Sequence, residues 1–263
     1  MSVTWRPKLL ALDVDGTLVN YDNELAPAVK STVTAARDAG IHVVISTGRA
    51  VPGVYDVLDK LELREESLAV ASNGSIVFGV EPFEVVKAVT FDAGPAVERL
   101  LQILPDALIA VEEVGVGYRV NKHFPHGEIG DHVFVDHIER MVADPVTRVI
   151  VRAPEYDLVG FSELVGDLGL DGTSFSIGHN AWLDVAPPGV SKASGLETVT
   201  SILGVDRSDV LAIGDGNNDV EMLAWAGRGV AMGQASERAI QAADAITGSV
   251  DEDGAAQEIQ RWL

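Results

Sequence analysis

Two pairs of aspartates, each set directly behind an apolar run, are the residues best suited to chemistry. Asp13-Val14-Asp15-Gly16-Thr17 follows Leu9-Leu10-Ala11-Leu12, and Gly214-Asp215-Gly216-Asn217-Asn218-Asp219 follows Val210-Leu211-Ala212-Ile213. In an extended segment residues two apart project to the same side, so Asp13 and Asp15 point together while Val14 faces away. If a helix begins near Asn217, Asp215 and Asp219 stand about one turn apart and converge on one point. Clustered carboxylate oxygens without sulfur or imidazole suit a hard cation, and magnesium in particular takes one or two carboxylates together with water and a substrate phosphate.

Two further segments supply what an anionic substrate needs. Ser46-Thr47-Gly48-Arg49 follows another apolar run, and Ser191-Lys192 follows Pro187-Pro188-Gly189-Val190. Taken singly, hydroxyls and glycines after a strand are ordinary turn chemistry and a lysine is ordinarily solvated. Taken together they offer a hydroxyl, backbone N–H donors and a cation for a phosphate group.

The elements that must position these residues follow from the pattern around them. The first eighty residues alternate short apolar runs with helix-like stretches: strands at 9–14, 41–46 and 69–72, helices at 26–39 and 51–60, with Pro27 at a first helical position and Gly40 just past the end. The last seventy return to this rhythm, with a helix from about Ser191 to Leu203, a strand at 210–214, a helix after Asn217, and short strands near 229–232 and 243–246. Between them the texture changes. Strand-like 116–120 and 148–152 lie among helix-like 95–104 and 156–168, as in an α+β insert. The expected fold class is therefore α/β, a doubly wound parallel sheet of Rossmann-like type built from 1–80 and 186–263, with an inserted α+β domain at 81–185. Ligands of such sheets bind beyond the carboxyl ends of the strands, where all four segments stand.

In this order and at these strand ends, the four segments resemble the four motifs of the haloacid dehalogenase (HAD) superfamily. Met222-Leu223, Ala231-Met232-Gly233 and Asp253-Gly254 further resemble the Cof-type phosphatases, whose class IIB α/β cap lies between the second and third motifs. The resemblance implies a HAD-type phosphoric monoester hydrolase that uses Mg2+ and an aspartyl-phosphate intermediate. Asp13 would be the nucleophile and Asp15 the general acid and base. Thr47 would donate to the phosphoryl oxygens, with Gly48, Arg49, Asn73 and Asn218 completing the substrate-binding set. Lys192 would steady Asp13 and the phosphate, and Asp215 and Asp219 would hold the metal with Asp13 and the backbone carbonyl of Asp15. The sequence departs from the family at Ser75, where alanine is frequent, at Ala193, where glycine is common, and at Gln234, where asparagine is common; none of these removes a catalytic group.

Composition narrows the substrate. Forty acidic residues against nineteen basic ones leave a formal charge of −21, with no stretch that concentrates Lys and Arg. Nucleic-acid phosphates are repelled from such a surface, and a small anion must find its positive charge locally. The absence of cysteine excludes disulfides, thiolate metal sites and thiol catalysis and fits a cytoplasmic protein. The apolar stretch after Lys8 is broken by Asp13 too soon for a signal peptide, and no run approaches a membrane span. A cap closing over the site would admit sugar phosphates or short phosphorylated acids such as phosphoglycolate; the protein would be a monomer or a homodimer.

Two alternatives stand beside the phosphatase: a phosphomutase of the same superfamily, and a non-catalytic metabolite-binding protein. Clustered carboxylates repel one another, which a retired site has no need to maintain. In the insert, His123, His126, His132 and His137 fit no regular ligand spacing, and Tyr118, Arg119, His179 and Asn180 are candidates to face substrate.

Overall fold

In the computed structural model, which describes residues 5–64, 67–130, 132–166, 174–178 and 181–263, Pro27 stands at the start of the first helix, where its missing N–H costs nothing. Gly40 follows the end of that helix at φ +81°. The first part of the chain forms β1 (Leu9–Leu12), α1 (Pro27–Asp38), β2 (His42–Ile45), α2 (Val51–Leu61), β3 (Leu68–Ala71), β4 (Ile76–Gly79) and β5 (Glu84–Ala88). The middle forms α3 (Gly94–Ile103), β6 (Leu108–Glu113), β7 (Gly117–Val120), β8 (Val133–Val135), α4 (Ile138–Met141), β9 (Val149–Arg152), α5 (Leu158–Gly166), β10 (Ser174–Gly178) and β11 (Trp182–Ala186). The last part forms α6 (Lys192–Leu203), β12 (Val210–Gly214), α7 (Val220–Trp225), β13 (Arg228–Ala231), α8 (Glu237–Ala242), β14 (Ala245–Ile246) and α9 (Gly254–Gln260).

Two compact units result. The first comprises 1–49, 54–87 and 191–263; the second comprises 50–53 and 88–190. The division falls later on both sides than the 81–185 read from composition, and on the near side β5, hydrogen-bonded to β4, stays with the first unit through Lys87.

The first unit is built on a five-stranded parallel sheet in the order β14-β13-β12-β1-β2. After β1 the chain moves to one side, to β2, and returns much later on the other side as β12. The carboxyl end of β1 is thus the point where strand order reverses, the place at which open α/β sheets bind ligands. Strands buried on both faces read as continuous apolar runs, and all of Leu9–Leu12 and Val210–Gly214 is buried. β3, expected to extend this sheet, belongs to a separate three-stranded sheet with β4, to which it is antiparallel, and β5; the segment just after β2 joins it through a bridge between Ser46 and Val70 and the Thr47 N–H on Val70 O at 3.0 Å.

The second unit carries a six-stranded sheet in the order β10-β11-β9-β6-β7-β8, antiparallel except for β7 and β8. One face is apolar: Ile109, Val111, Val149, Val151, Leu183 and Val185 pack with Val97 and Leu100 of α3 and Phe161 and Val165 of α5. Strand alternation sends Glu112, Arg148 and Asp184 to the other face. There Arg148 Nε donates to Asp184 Oδ1 at 2.7 Å, its Nη1 donates to the Tyr118 hydroxyl at 3.3 Å, and the Thr147 hydroxyl donates to Glu112 Oε2 at 3.0 Å.

Candidate active site

The catalytic, phosphate-binding and metal-binding residues named from the sequence lie in the first unit, at or near a strand end. The Asp13 N–H donates to Ile213 O at 3.0 Å, continuing the β1–β12 ladder by one residue and holding the Asp13 side chain beyond the sheet. Gly16, at φ +80°, turns the chain away; a Cβ there would lie 2.3 Å from Asp215 Oδ2, so the turn demands glycine for its conformation and for its neighbour.

Lys192 is the first residue of α6, whose N-cap Ser191 is locked by a reciprocal pair with Ser194. Its side chain is fully buried, and Nζ donates to Asp13 Oδ1 at 2.5 Å and to Asp219 Oδ1 at 2.6 Å. Asp219, equally buried, accepts at Oδ2 from the N–H groups of Asp215 and Gly216 at 3.0 and 2.9 Å. Asp215 receives two longer contacts at Oδ2, both at 3.4 Å, from the Tyr21 hydroxyl and from Gln234 Nε2. Gln234 also donates to Gly16 O at 2.6 Å and accepts from the Val250 N–H at 3.0 Å, so the longer side chain found here in place of asparagine ties three loops together.

One ammonium cannot neutralise three carboxylates. Burial pushes the Asp13 carboxyl well up, to about 8, with the charge of Asp219 adding to the rise and Lys192 opposing it. Burial and the Asp219 charge likewise lift Asp215 to about 6. Burial alone would lower Lys192, but the charges of Asp13 and Asp219 hold it above its ordinary value. Carboxylate oxygens of Asp13, Asp215 and Asp219 come within 4.8 Å of one another, the only such group of three or more His, Cys, Asp or Glu among the described residues. This all-oxygen donor set with surplus negative charge fits Mg2+. Since both Asp219 oxygens are already engaged by Lys192 and two backbone donors, Asp13 and Asp215 are the better direct donors.

The phosphate-binding candidates gather beside this cluster. The Thr47 hydroxyl accepts from the Arg49 N–H at 3.1 Å, which leaves its own proton to donate. Asn73 donates its N–H to Thr47 O at 3.0 Å and accepts from Asn218 Nδ2 at 2.9 Å, and a Cβ on Gly48 would come within 3.0 Å of Asn73 Oδ1. Ser72, Asn73 and Gly74 all have positive φ. This tight turn brings Gly74 against the start of α6, where a Cβ would sit 1.9 Å from Ser191 O.

Asp15 and Arg49 differ from their expected settings. Crowding acts on Asp13 and Asp215; Asp15 stands apart, with 56% of its side chain exposed and both oxygens on the Arg49 guanidinium. Arg49, expected at the substrate, is bonded to Asp15, Asn23 and Asp56. Nothing in the local sequence marks Asn23 or Tyr21 as site residues. The seven-residue step from Arg49 to Asp56, two helical turns, and the four-residue step to Lys60 were the only signal for Asp56. In the second unit Tyr118 is buried beside Arg148, Arg119 pairs with Glu113, and His179 and Asn180 lie outside the described residues. The four histidines of the insert form no metal-ligand group among the described residues, where no helix is long and apolar enough to cross a membrane.

The family model for haloacid dehalogenase-like hydrolases matches residues 10–259, nearly the whole chain. The chain belongs to the haloacid dehalogenase-like hydrolases. Among relatives of this hydrolase, 5-amino-6-(5-phospho-D-ribitylamino)uracil phosphatase YitU of Bacillus subtilis is 28% identical, with 98% of each chain covered. Phosphoglycolate phosphatase of Natronomonas pharaonis is 32% identical, with 96% of each covered. Of solved structures, a phosphatase of the haloalkanoate (HAD) superfamily from Bacteroides thetaiotaomicron superposes with a TM-score of 0.81 at 28% identity, covering 100% of this chain and 97% of that one. The parallel central sheet with its additional sheets matches the core-plus-cap fold of such hydrolases.

Proposed function

We propose that this hydrolase is a Mg2+-dependent phosphatase of small phosphorylated metabolites that works through an aspartyl-phosphate on Asp13. It is a phosphoric monoester hydrolase by family. The observation that carries the mechanism is the buried Asp13–Lys192–Asp219 arrangement with Asp215 beside it at the carboxyl end of β1.

In the first step an Asp13 oxygen attacks phosphorus, the bond from phosphorus to the ester oxygen breaks, and the leaving oxygen takes a proton from Asp15. In the second, Asp15 takes a proton from water, the resulting hydroxide attacks phosphorus, and the bond to Asp13 breaks to return the carboxylate and release phosphate. Lys192 neutralises charge on Asp13 and on the phosphoryl oxygens, while the Thr47 hydroxyl and the amides at Asn73 and Asn218 supply donors to those oxygens. The carboxylates of Asp13 and Asp215 and the carbonyl of Asp15 would hold Mg2+, with Asp219 bracing the set, and the ion would supply positive charge that favours ionised Asp13 and offsets the charge of the transferring group.

Small substrates are favoured because positive charge is concentrated in single residues of the site, while the net charge of −21 disfavours polyanions. The named relatives act on small phosphate monoesters. The test is phosphate release from a panel of sugar phosphates, phosphorylated acids and nucleotide-like monophosphates, with magnesium and with EDTA. Release should require magnesium and fall by at least about a thousandfold in Asp13→Asn, whose amide is a poor nucleophile. Full activity in EDTA, or in Asp13→Asn, overturns the mechanism.

A further inference from the structure

The Arg49 guanidinium is held from several directions. Nε and Nη2 donate to the two oxygens of Asp15 at 3.0 and 2.6 Å, Nη2 also donates to Asn23 Oδ1 at 2.9 Å, and Nη1 donates to Asp56 Oδ2 at 3.2 Å. That same Asp56 oxygen accepts from Asn23 Nδ2 at 3.0 Å and from Lys60 Nζ at 2.6 Å. Three donors from three parts of the chain thus converge on one oxygen of α2. Asp56 shares no hydrogen bond with Asp13, Lys192, Asp215 or Asp219 among the described residues.

A guanidinium is planar, and its fork meets a carboxylate in the plane of both groups. Whatever fixes the plane of Arg49 therefore fixes the plane of Asp15. With Asp15 as its only anchor, the arginine would swing with the aspartate, and neither would have a defined direction. Asp56 and Asn23 hold the opposite edge of the guanidinium. The loop that presents Asn23 has the backbone for this purpose: Asn23 adopts φ +61°, a conformation asparagine tolerates, and its N–H donates to Asn20 O at 3.0 Å.

We infer that Asp56, with Asn23, is a positioning residue that fixes Arg49 and through it the direction in which Asp15 presents its carboxyl to the leaving-group oxygen. This rests on the acid and base role of Asp15 proposed above. An ion cluster that merely stabilised the fold would affect every substrate alike, because exposed pairs act on stability and not on one proton transfer. A positioning role acts through the proton that Asp15 delivers, so it matters for an alkyl phosphate, whose alkoxide must be protonated, and little for nitrophenyl phosphate, whose phenolate leaves unaided.

The experiment compares glycerol phosphate with nitrophenyl phosphate as substrates of the wild type, Asp15→Asn, Asp56→Ala, Asp56→Asn and Asn23→Ala, with folding followed by circular dichroism. Asp56→Ala should lower kcat on glycerol phosphate about tenfold and on nitrophenyl phosphate less than about twofold, with KM within about twofold for both. Asp56→Asn, whose amide oxygen still accepts from Nη1, should recover most of the loss. Asn23→Ala should show the same selectivity and decides the matter if Asp56→Ala does not fold. If Asp15→Asn is selective for glycerol phosphate while the Asp56 and Asn23 variants are unchanged or lose equally on both esters, the positioning role is wrong. If Asp15→Asn itself loses equally on both, the acid role of Asp15 fails and this inference with it.

Discussion

Lys192 Nζ lies 2.6 Å from Asp219 Oδ1, and neither side chain reaches solvent. Asp219 therefore serves two partners at once, the ammonium through one oxygen and the Asp215–Gly216 backbone through the other. Asp219→Ala leaves two N–H groups unpaired and Lys192 with Asp13 alone. We expect a stability loss of about 2–4 kcal/mol in urea denaturation without magnesium. Asp215→Ala should instead raise the magnesium needed for half-maximal rate by more than about tenfold with a smaller change in stability. An unchanged magnesium requirement in Asp215→Ala would remove it from the metal set.

The raised carboxyls of Asp13 and Asp215 set a pH dependence. A carboxyl whose folded pKa lies above its unfolded value binds its proton more tightly in the native state, so it adds stability below the unfolded pKa that is lost as pH rises through the folded one. For Asp215 that window runs from about 4 to about 6, and for Asp13 from about 4 to about 8. The metal-free protein should lose this contribution between pH 4 and 8. Because magnesium must displace those protons, its half-saturating concentration should fall over the upper part of the same range. Calorimetric melts at pH 6 and pH 8.5, with and without magnesium, should show the larger magnesium-induced rise in Tm at pH 8.5; an equal rise at both contradicts the shifts.

Gly74 and Ser75 are adjacent and should respond in opposite ways. Gly74→Ala drives a Cβ into Ser191 O from a backbone at φ +99°, so we expect a loss of more than about 3 kcal/mol or an insoluble product. The Ser75 hydroxyl is buried and finds no hydrogen-bond partner among the described residues. Ser75→Ala, which restores the alanine frequent in the family, should leave stability unchanged or raise it by up to about 1 kcal/mol. A clear destabilisation would reveal a partner for that hydroxyl.

In the second unit, Arg148→Met removes the cation from a buried polar face and takes from Asp184 its ion-pair partner. Breaking one side of such a pair costs about 3–5 kcal/mol. The double variant Arg148→Met with Asp184→Leu should regain most of that loss, as read by denaturation midpoints. Failure of the second change to restore stability would mean that Glu112 or Tyr118, and not Asp184, is the partner that matters.

The legible parts of this protein are those where local chemistry and the final environment agree. Pro27 and Gly40 bracket a helix that forms almost where they place it, and β1 and β12 are apolar throughout because both of their faces are covered. β5 is not legible in the sequence because every residue of it is exposed, which leaves no inside-outside alternation. The carboxylates and the lysine were visible as residue types at strand ends. What local sequence does not encode is the direction of a side chain across a loop, set by tertiary packing: Arg49 turns from the phosphate set toward Asp56 and Asn23, and Asp15 goes with it.

The order of strands in the parallel sheet has a consequence for how the protein is made. β1 is synthesised long before β12, yet one of its two edges is filled by that strand, with Leu9 opposite Val210. Asp13 and the lysine that pairs with it are 179 residues apart in the chain. A ribosome must therefore pass through that whole interval before Asp13 meets its cation, and a nascent chain holds an open strand edge throughout it, while residues 88–190 emerge as one uninterrupted stretch. No chain released before β12 is complete has an assembled site, so termination ahead of that strand leaves an exposed template for aggregation and not a weakened enzyme.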